Sequence, residues 1–190
     1  MADASAQTNL ARLFEAVGAA AAAGRGPAPV HLWNPAVCGD IDIRIGRDGT
    51  WFYQGSPIGR PALVRLFSTV LRRDEDGFWL VTPVEKLRIA VEDAPFVAIG
   101  VERQGEVLRF ATNVGDVVEA GPEHPIRVET GEGGAPRPYV RVRGGLDALI
   151  ARPAFYELVE MAAERPAQGG ARLMVRSKGV WFDLGALEGV

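Results

Sequence analysis

A chain of 190 residues with 47% hydrophobic and 24% charged residues has the makeup of a folded globular protein, which excludes a disordered or collagen-like chain. Its 21 Lys and Arg against 24 Asp and Glu give a formal charge of -3, so there is no basic footprint of the kind a DNA or RNA backbone demands. No apolar run approaches the roughly 18 residues needed to cross a bilayer, and a single Cys38 has no second thiol for a disulfide or a metal, which points to a reducing cytoplasm.

Leu10, Leu13, Phe14 and Val17 recur at i, i+3, i+4 and i+7, the apolar face of a helix from about Thr8 to Ala23. The alanine-rich run Ala16 to Gly24 is flanked by Asp3 and Glu15 and is too weakly apolar for a signal-peptide core. Gly24, Gly26, Pro27 and Pro29 stop the helix. Ile41, Ile43 and Ile45 then alternate with Asp40, Asp42 and Arg44, a strand with one apolar face. Asp48-Gly49 supplies a tight turn, and Thr50 to Tyr53 returns. From Pro61 the period changes: Leu63, Leu66, Phe67, Val70 and Leu71 form a helical stripe with proline in its first turn. RRDEDG reads as a polar turn before a short strand, Phe78 to Val81, and Leu87, Ile89 and Val91 alternate in the next.

Asp93-Ala94-Pro95 interrupts this pattern and starts a fresh β series. A hairpin about Gln104-Gly105 follows, then short strands among Gly and Pro clusters with Gly131 to Pro138 as a loop. Phe155, Leu158, Val159 and Ala162 give a second helical face before ERPAQGG, and a hairpin near Lys178-Gly179 closes the chain. Three or four helices and about ten strands make the class α+β with mostly antiparallel pairing. The expected domains are an N-terminal helix over 1–28, a β-rich domain over 29–94 and a second over 95–190. GTWFYQG, Gly49 to Gly55, and GVWFDLG, Gly179 to Gly185, share G-x-W-F-x-x-G; the echo is either chance or the mark of two related sheet-plus-helix units.

GTWFYQGSPIGRPALVRLFSTVLRR, GFWLVTPVEKLRIAVEDAPF, TNVGDVV with HPIRV, PYVRVRGGLDALIARPAFYELVEMA and GVWFDLG, in this order, resemble the bacterial domain of unknown function family 1285. The resemblance covers about Asp40 to Gly185. It implies two β-rich domains with duplicated core motifs, the second similar to a pleckstrin-homology-like fold. It also implies a site at the domain interface for a nucleotide-like ligand and a role in signal transduction, with no established enzymatic activity.

Neither G-x-x-x-x-G-K-[ST] nor G-x-G-x-x-G occurs, so a nucleotide would be held by side chains such as Arg60, Lys86, Arg141 and Arg143, with Tyr139 beside Arg141. Arg141 and Arg143 share one strand face with the alternative of simple solvation. Glu92-Asp93 stands beside the domain boundary, where sites tend to form. Asn113 and Asp116 in TNVGD suit a turn, yet could meet VEDAPF across a binding interface. Trp51, Phe52, Trp79, Trp181 and Phe182 read as core anchors. His31 and His124 lack a metal-binding companion, Ser56 before proline suits a turn, and Asp40 with Asp42 suits a wet strand face, so neither a catalytic nor a metal set is expected and no cofactor is. The rivals to a non-catalytic ligand-binding module are a small hydrolase or transferase using Glu92, Asp93 or Asp116 as acid or base, and a protein-interaction domain with an exposed sheet edge.

Overall fold

The alternating isoleucines lie in β1 (Val37–Ile45), with Ile43 and Ile45 buried and Asp40 and Asp42 exposed, as a pleat with one wet face requires. The computed structural model describes residues 12–13, 15–19, 27–167 and 170–186, and the chain divides into two units between Glu92 and Asp93. Of the expected N-terminal helix, residues 12–13 and 15–19 are helical and Leu13 and Val17 are buried; the rest of that expectation, Leu10 and Phe14 included, lies outside the described residues.

In the first unit Asp48 and Gly49, the latter at φ 80°, turn the chain into β2 (Trp51–Tyr53), and β3 (Ser56–Pro57) follows. Helix α1 (Pro61–Thr69) buries Phe67 against Trp51, with ring centroids 6.3 Å apart. Each such ring contributes on the order of 2–3 kcal/mol by burial. Then come β4 (Leu71–Asp74), β5 (Gly77–Val81) and β6 (Glu85–Val91). The sheet order is β3-β2-β1-β6-β5-β4, antiparallel throughout except that β1 and β6 run parallel.

The second unit contains β7 (Phe96–Gln104), β8 (Val107–Thr112), β9 (Val117–Glu119), β10 (Ile126–Thr130), β11 (Pro136–Arg143) and β12 (Leu146–Ile150). Their order is β9-β8-β7-β12-β11-β10, again antiparallel except for the β7 and β12 pair. Strand for strand this is the first sheet repeated. To it the second unit adds α2 (Arg152–Glu160) and a three-stranded sheet of β13 (Ala163–Ala167), β14 (Gly170–Ser177) and β15 (Val180–Ala186). Ala154, Phe155 and Leu158 of α2 are buried.

The fold is α+β and mostly antiparallel with two β-rich parts, as expected, but several local readings change. Strands number fifteen rather than about ten among the described residues. Leu71 belongs to β4 instead of the preceding helix, and the RRD of the supposed polar turn RRDEDG is strand with it, its Asp74 ion-paired to Arg72 along the strand and to Lys86 of β6 across the sheet. Part of the expected loop Gly131 to Pro138 is β11, and ERPA after the second helix is β13. Ser56 lies in β3 rather than a simple turn.

The duplication is also not where the sequence echo puts it. The counterpart of β2 in the strand order is β8, not β15. Trp51 is buried while Trp181 is 37% exposed and Phe182 is buried, so the two G-x-W-F segments turn opposite residues inward. The helices differ too: α1 lies between the third and fourth strands of its sheet, α2 after the sixth of its own. Trp79, another expected core anchor, is buried, whereas Phe52 is half-exposed.

Ser177 joins the added sheet to the repeated one. It is fully buried, its Oγ accepting from the Leu108 N–H at 2.9 Å and donating to the Ala120 carbonyl at 2.7 Å. Ser177→Ala leaves a buried donor and acceptor unmet, at a cost of about 2 kcal/mol. Thermal denaturation should show a midpoint lowered by roughly 5 °C or more; an unchanged midpoint would show that the bridge contributes nothing.

Candidate functional site

The repeat extends to individual positions. Leu71 faces Leu80 and Arg72 faces Trp79 across β4 and β5, as Ile126 faces Val140 and Arg127 faces Tyr139 across β10 and β11. Leu80 faces Leu87 and Val81 faces Lys86, as Val140 faces Ala148 and Arg141 faces Asp147. Side chains two apart along a strand share a face, so each unit carries a charged cluster about an aromatic ring at the same place in its sheet.

In the first unit the ring is Trp79. The Lys86 Nζ lies 4.0 Å from its centroid and the Arg88 guanidinium carbon 4.6 Å, close enough for cation–π attraction. Lys86 is ion-paired to Asp74 at 2.6 Å, and Arg72 to the same carboxylate at 2.8 Å. Burial alone would raise the Asp74 pKa, but hydrogen bonds from Arg72 and Lys86, together with their charges, hold it below the ordinary 3.8.

In the second unit the ring is Tyr139, buried, with the Arg127 guanidinium carbon 4.4 Å from its centroid. Its hydroxyl donates to Asp93 Oδ1 at 2.8 Å, and Arg137 closes on Asp93 Oδ2 at 2.6 Å. Burial, reinforced by the Asp93 hydrogen bond and charge, pushes the Tyr139 pKa up to about 12. Asp147, buried, receives Arg127 at 3.0 Å and Arg141 at 2.5 Å. The arginines are more exposed than the carboxylates that hold them: side chains of Arg127, Arg137 and Arg141 are 41%, 37% and 38% accessible, those of Asp93 and Asp147 11% and 6%. Each guanidinium is therefore fixed from below and open from above.

Beside this cluster a cavity of about 510 Å³ opens between the Arg137 end of β11, the end of β12 and the first turn of α2. Arg137 and Arg152 supply its cations, and Pro138, Leu149, Phe155 and Tyr156 its apolar wall. Arg152 makes no ion pair or side-chain hydrogen bond among the described residues, and Tyr156 is 56% exposed. Pro153 lies in the first turn of the helix, while Ala151 at its cap offers no side-chain acceptor, so the first turn keeps its partial positive charge toward the cavity.

Among the residues singled out in the sequence, Asp93, Tyr139 and Arg141 come together in the second unit. Asp116 and Arg143 also pair, and Arg143 lies over the Phe96 ring with its guanidinium carbon at 4.9 Å from the centroid. Asn113 is structural: its N–H donates to the Val97 carbonyl at 2.9 Å and its Oδ1 accepts from the Val97 N–H at 3.0 Å. This is how TNVGD meets the segment after VEDAPF, inside one unit. Lys86 sits in the Trp79 cluster, Glu92 pairs with Arg44 and accepts from the Arg47 N–H, and Arg60 is exposed at the N-cap of α1. Sequence reasoning missed Arg127, Arg137, Asp147, Arg152 and Tyr156. The alternation of Arg137, Tyr139 and Arg141 along one strand face was the signal for one of them; the others depend on pairing register.

Residues 28–94 match the N-terminal domain, and residues 95–184 the C-terminal domain, of the proteins of unknown function described as DUF1285. The chain is similar to the crystal structure of a DUF1285 family protein from Silicibacter pomeroyi DSS-3, with 54% identity and a TM-score of 0.80 over 87% of this chain and 91% of that one. A DUF1285 family protein from Shewanella baltica OS155 is 27% identical, with a TM-score of 0.52 over 63% of this chain and 91% of the other. None of the curated proteins matches.

The two aromatic clusters respond to pH at opposite ends. Since the folded Asp74 pKa is lowered, its stabilisation is present above the unfolded value of about 3.9 and is lost as pH falls through the folded one. Asp74→Asn should remove that part of the acid decline in melting midpoint. The raised Tyr139 pKa gives stabilisation that is intact below about pH 10 and disappears as pH rises toward 12. Tyr139→Phe should flatten the loss over that window, followed by circular dichroism; an unaltered alkaline profile would contradict the assignment.

Proposed function

The chain belongs to the DUF1285 family, and from that premise we propose that it is a non-catalytic cytoplasmic module that binds a small anionic, nucleotide-like ligand in the service of signal transduction. The observation that carries this reading is the cavity of about 510 Å³ with Arg137 and Arg152 at its border and Phe155 and Tyr156 in its wall. Its volume is within the roughly 300–1,000 Å³ of small-molecule sites. Two guanidinium groups suit phosphate or carboxylate oxygens, and an exposed tyrosine ring offers a stacking surface for a flat group. Arg137 is held by Asp93, so ordering it costs the ligand little.

The carboxylates a hydrolase or transferase would use are engaged otherwise. Glu92 is paired to Arg44, Asp93 to Arg137 and Asp116 to Arg143. They act as anchors for cations, which favours binding over acid–base chemistry.

A thermal-shift screen of nucleoside mono-, di- and triphosphates and nucleotide-derived cofactors tests the proposal. At about 100 times its Kd a ligand stabilises by roughly 2.7 kcal/mol, several degrees in a small domain. Arg152→Ala, at an exposed and unpaired position, should leave the free protein's midpoint within about 1 °C and weaken the ligand roughly tenfold or more. A screen in which no nucleotide raises the midpoint would sink the ligand class.

A further inference from the structure

We propose that the cavity between β11, β12 and α2 selects a ligand bearing a single negative charge on a flat, otherwise uncharged body, and that Asp93 sets this limit by cancelling the charge of Arg137. The inference rests on the reading of this cavity as a small-ligand site and names the class of ligand it takes. Two cations border the cavity, Arg137 and Arg152, and no carboxylate lines it among the described residues. The two cations are not equivalent. Arg137 is ion-paired to Asp93 Oδ2 at 2.6 Å, whereas Arg152 has no anionic partner among the described residues.

The other arginines of the adjoining strands are compensated as well. Arg127 pairs with Glu129 at 3.0 Å and with Asp147 at 3.0 Å, and Arg141 with Asp147 at 2.5 Å. Arg127, Arg137 and Arg141 thus stand against Asp93, Glu129 and Asp147, and their charges cancel. What remains for a ligand is Arg152 and the partial charge of the uncapped first turn of α2, a surplus of roughly one to one and a half positive charges. A monoanion meets that surplus. Each further negative charge, as on a nucleoside di- or triphosphate, would lose water without gaining a cation. Arg137 therefore acts as an oriented hydrogen-bond donor, and Arg152 supplies the net attraction.

Arg137 is held in that role from a second side. Gly131, whose N–H donates to the Ala135 carbonyl at 2.8 Å, lies so close to the Arg137 stem that a Cβ at 131 would stand 2.7 Å from Cδ and 2.9 Å from Cγ, inside the distance at which carbons pack. Bare backbone at 131 gives the stem its place, and Asp93 fixes its tip. The rest of the wall is apolar, with Pro136, Pro138, Leu149, Ile150 and Phe155 beside the exposed Tyr156 ring. Such a wall suits an uncharged flat body and opposes a second ionised group.

The test is calorimetric titration of the whole chain, without magnesium, at about pH 8, where a phosphate monoester with its second pKa near 6 is a dianion. The probes are adenosine, cyclic AMP, AMP, ADP and ATP, with naphthoate as a monoanion that is no nucleotide. Cyclic AMP should bind about tenfold tighter than AMP, and ADP and ATP more weakly still. Asp93→Asn keeps an acceptor for the Tyr139 hydroxyl and removes one charge, so AMP should come within about threefold of cyclic AMP. Arg152→Gln should reduce cyclic AMP to the affinity of adenosine and abolish naphthoate binding. If Asp93→Asn does not fold, the wild-type order and the exposed Arg152→Gln variant decide. AMP, ADP or ATP binding as tightly as cyclic AMP overturns the inference while the nucleotide reading stands. Naphthoate binding with no nucleotide bound does the reverse: the charge rule holds and the nucleotide class falls. No binding of any probe overturns both, and a wild-type ratio in Asp93→Asn overturns the part assigned to Asp93.

Discussion

One parallel pair in each sheet, β1 with β6 and β7 with β12, determines most of what surrounds it. It joins two antiparallel three-stranded halves, so the third and fourth strands of each unit, neighbours in sequence, stand at opposite edges of the sheet. The first unit spans that distance with a connection containing α1. The second has only residues 120–125 between β9 and β10, and Gly121 and His124 fold back on each other through reciprocal hydrogen bonds. A flat six-stranded sheet is about 24 Å wide, more than such a turned link can cross, since even a fully extended chain advances only about 3.3–3.6 Å per residue. The second sheet must curl until its edges approach. Curling buries Phe96, Phe110, Val140 and Ala148 inside, and leaves β10 as an edge with the half-exposed Arg127.

Within that frame the recurring device is an arginine resting on a more deeply buried carboxylate. Asp147 and Asp93 could not remain buried as lone charges, for an unpaired ion inside costs several kcal/mol. Arg127, Arg141 and Arg137 make their burial tolerable. The same contacts remove rotamer freedom from the arginines, freedom worth up to about 2 kcal/mol for each when an anion must order it. Stability and recognition are therefore coupled here: the carboxylates hold the sheet face together and, in doing so, aim its donors.

Much of this architecture was legible as periodicity. Ile41, Ile43 and Ile45 announced β1, and Pro61 with Phe67 announced α1, because each has a single dominant solvent boundary. β4 was hidden since Arg72, Arg73 and Asp74 look like a polar turn until the sheet brings Lys86 of β6, two strands away, within reach of Asp74. β13 was hidden because Pro166 and full exposure are tolerated only at an edge. The candidate site was legible in part: Asp93, Tyr139 and Arg141 were singled out, but Arg127 and Asp147 reach them through register, a long-range property that no local window carries. The repeat itself was obscured because equivalent positions differ, Trp79 against Tyr139 and Leu87 against Ala148, while the visible echo joined strands that are not counterparts.

A further difference between equivalent positions reverses sign. Lys86 in the first sheet occupies the position of Asp147 in the second; the former answers Asp74, the latter Arg127 and Arg141. Two copies of one topology in a single chain invite misassembly, since a strand of one unit could enter the other during folding. Here a trespassing β6 would set Lys86 between two arginines, and a trespassing β12 would set Asp147 against Asp74. Like charges brought together while losing water oppose both errors, so the reversal lets twin sheets fold on one polypeptide with each strand directed to its own.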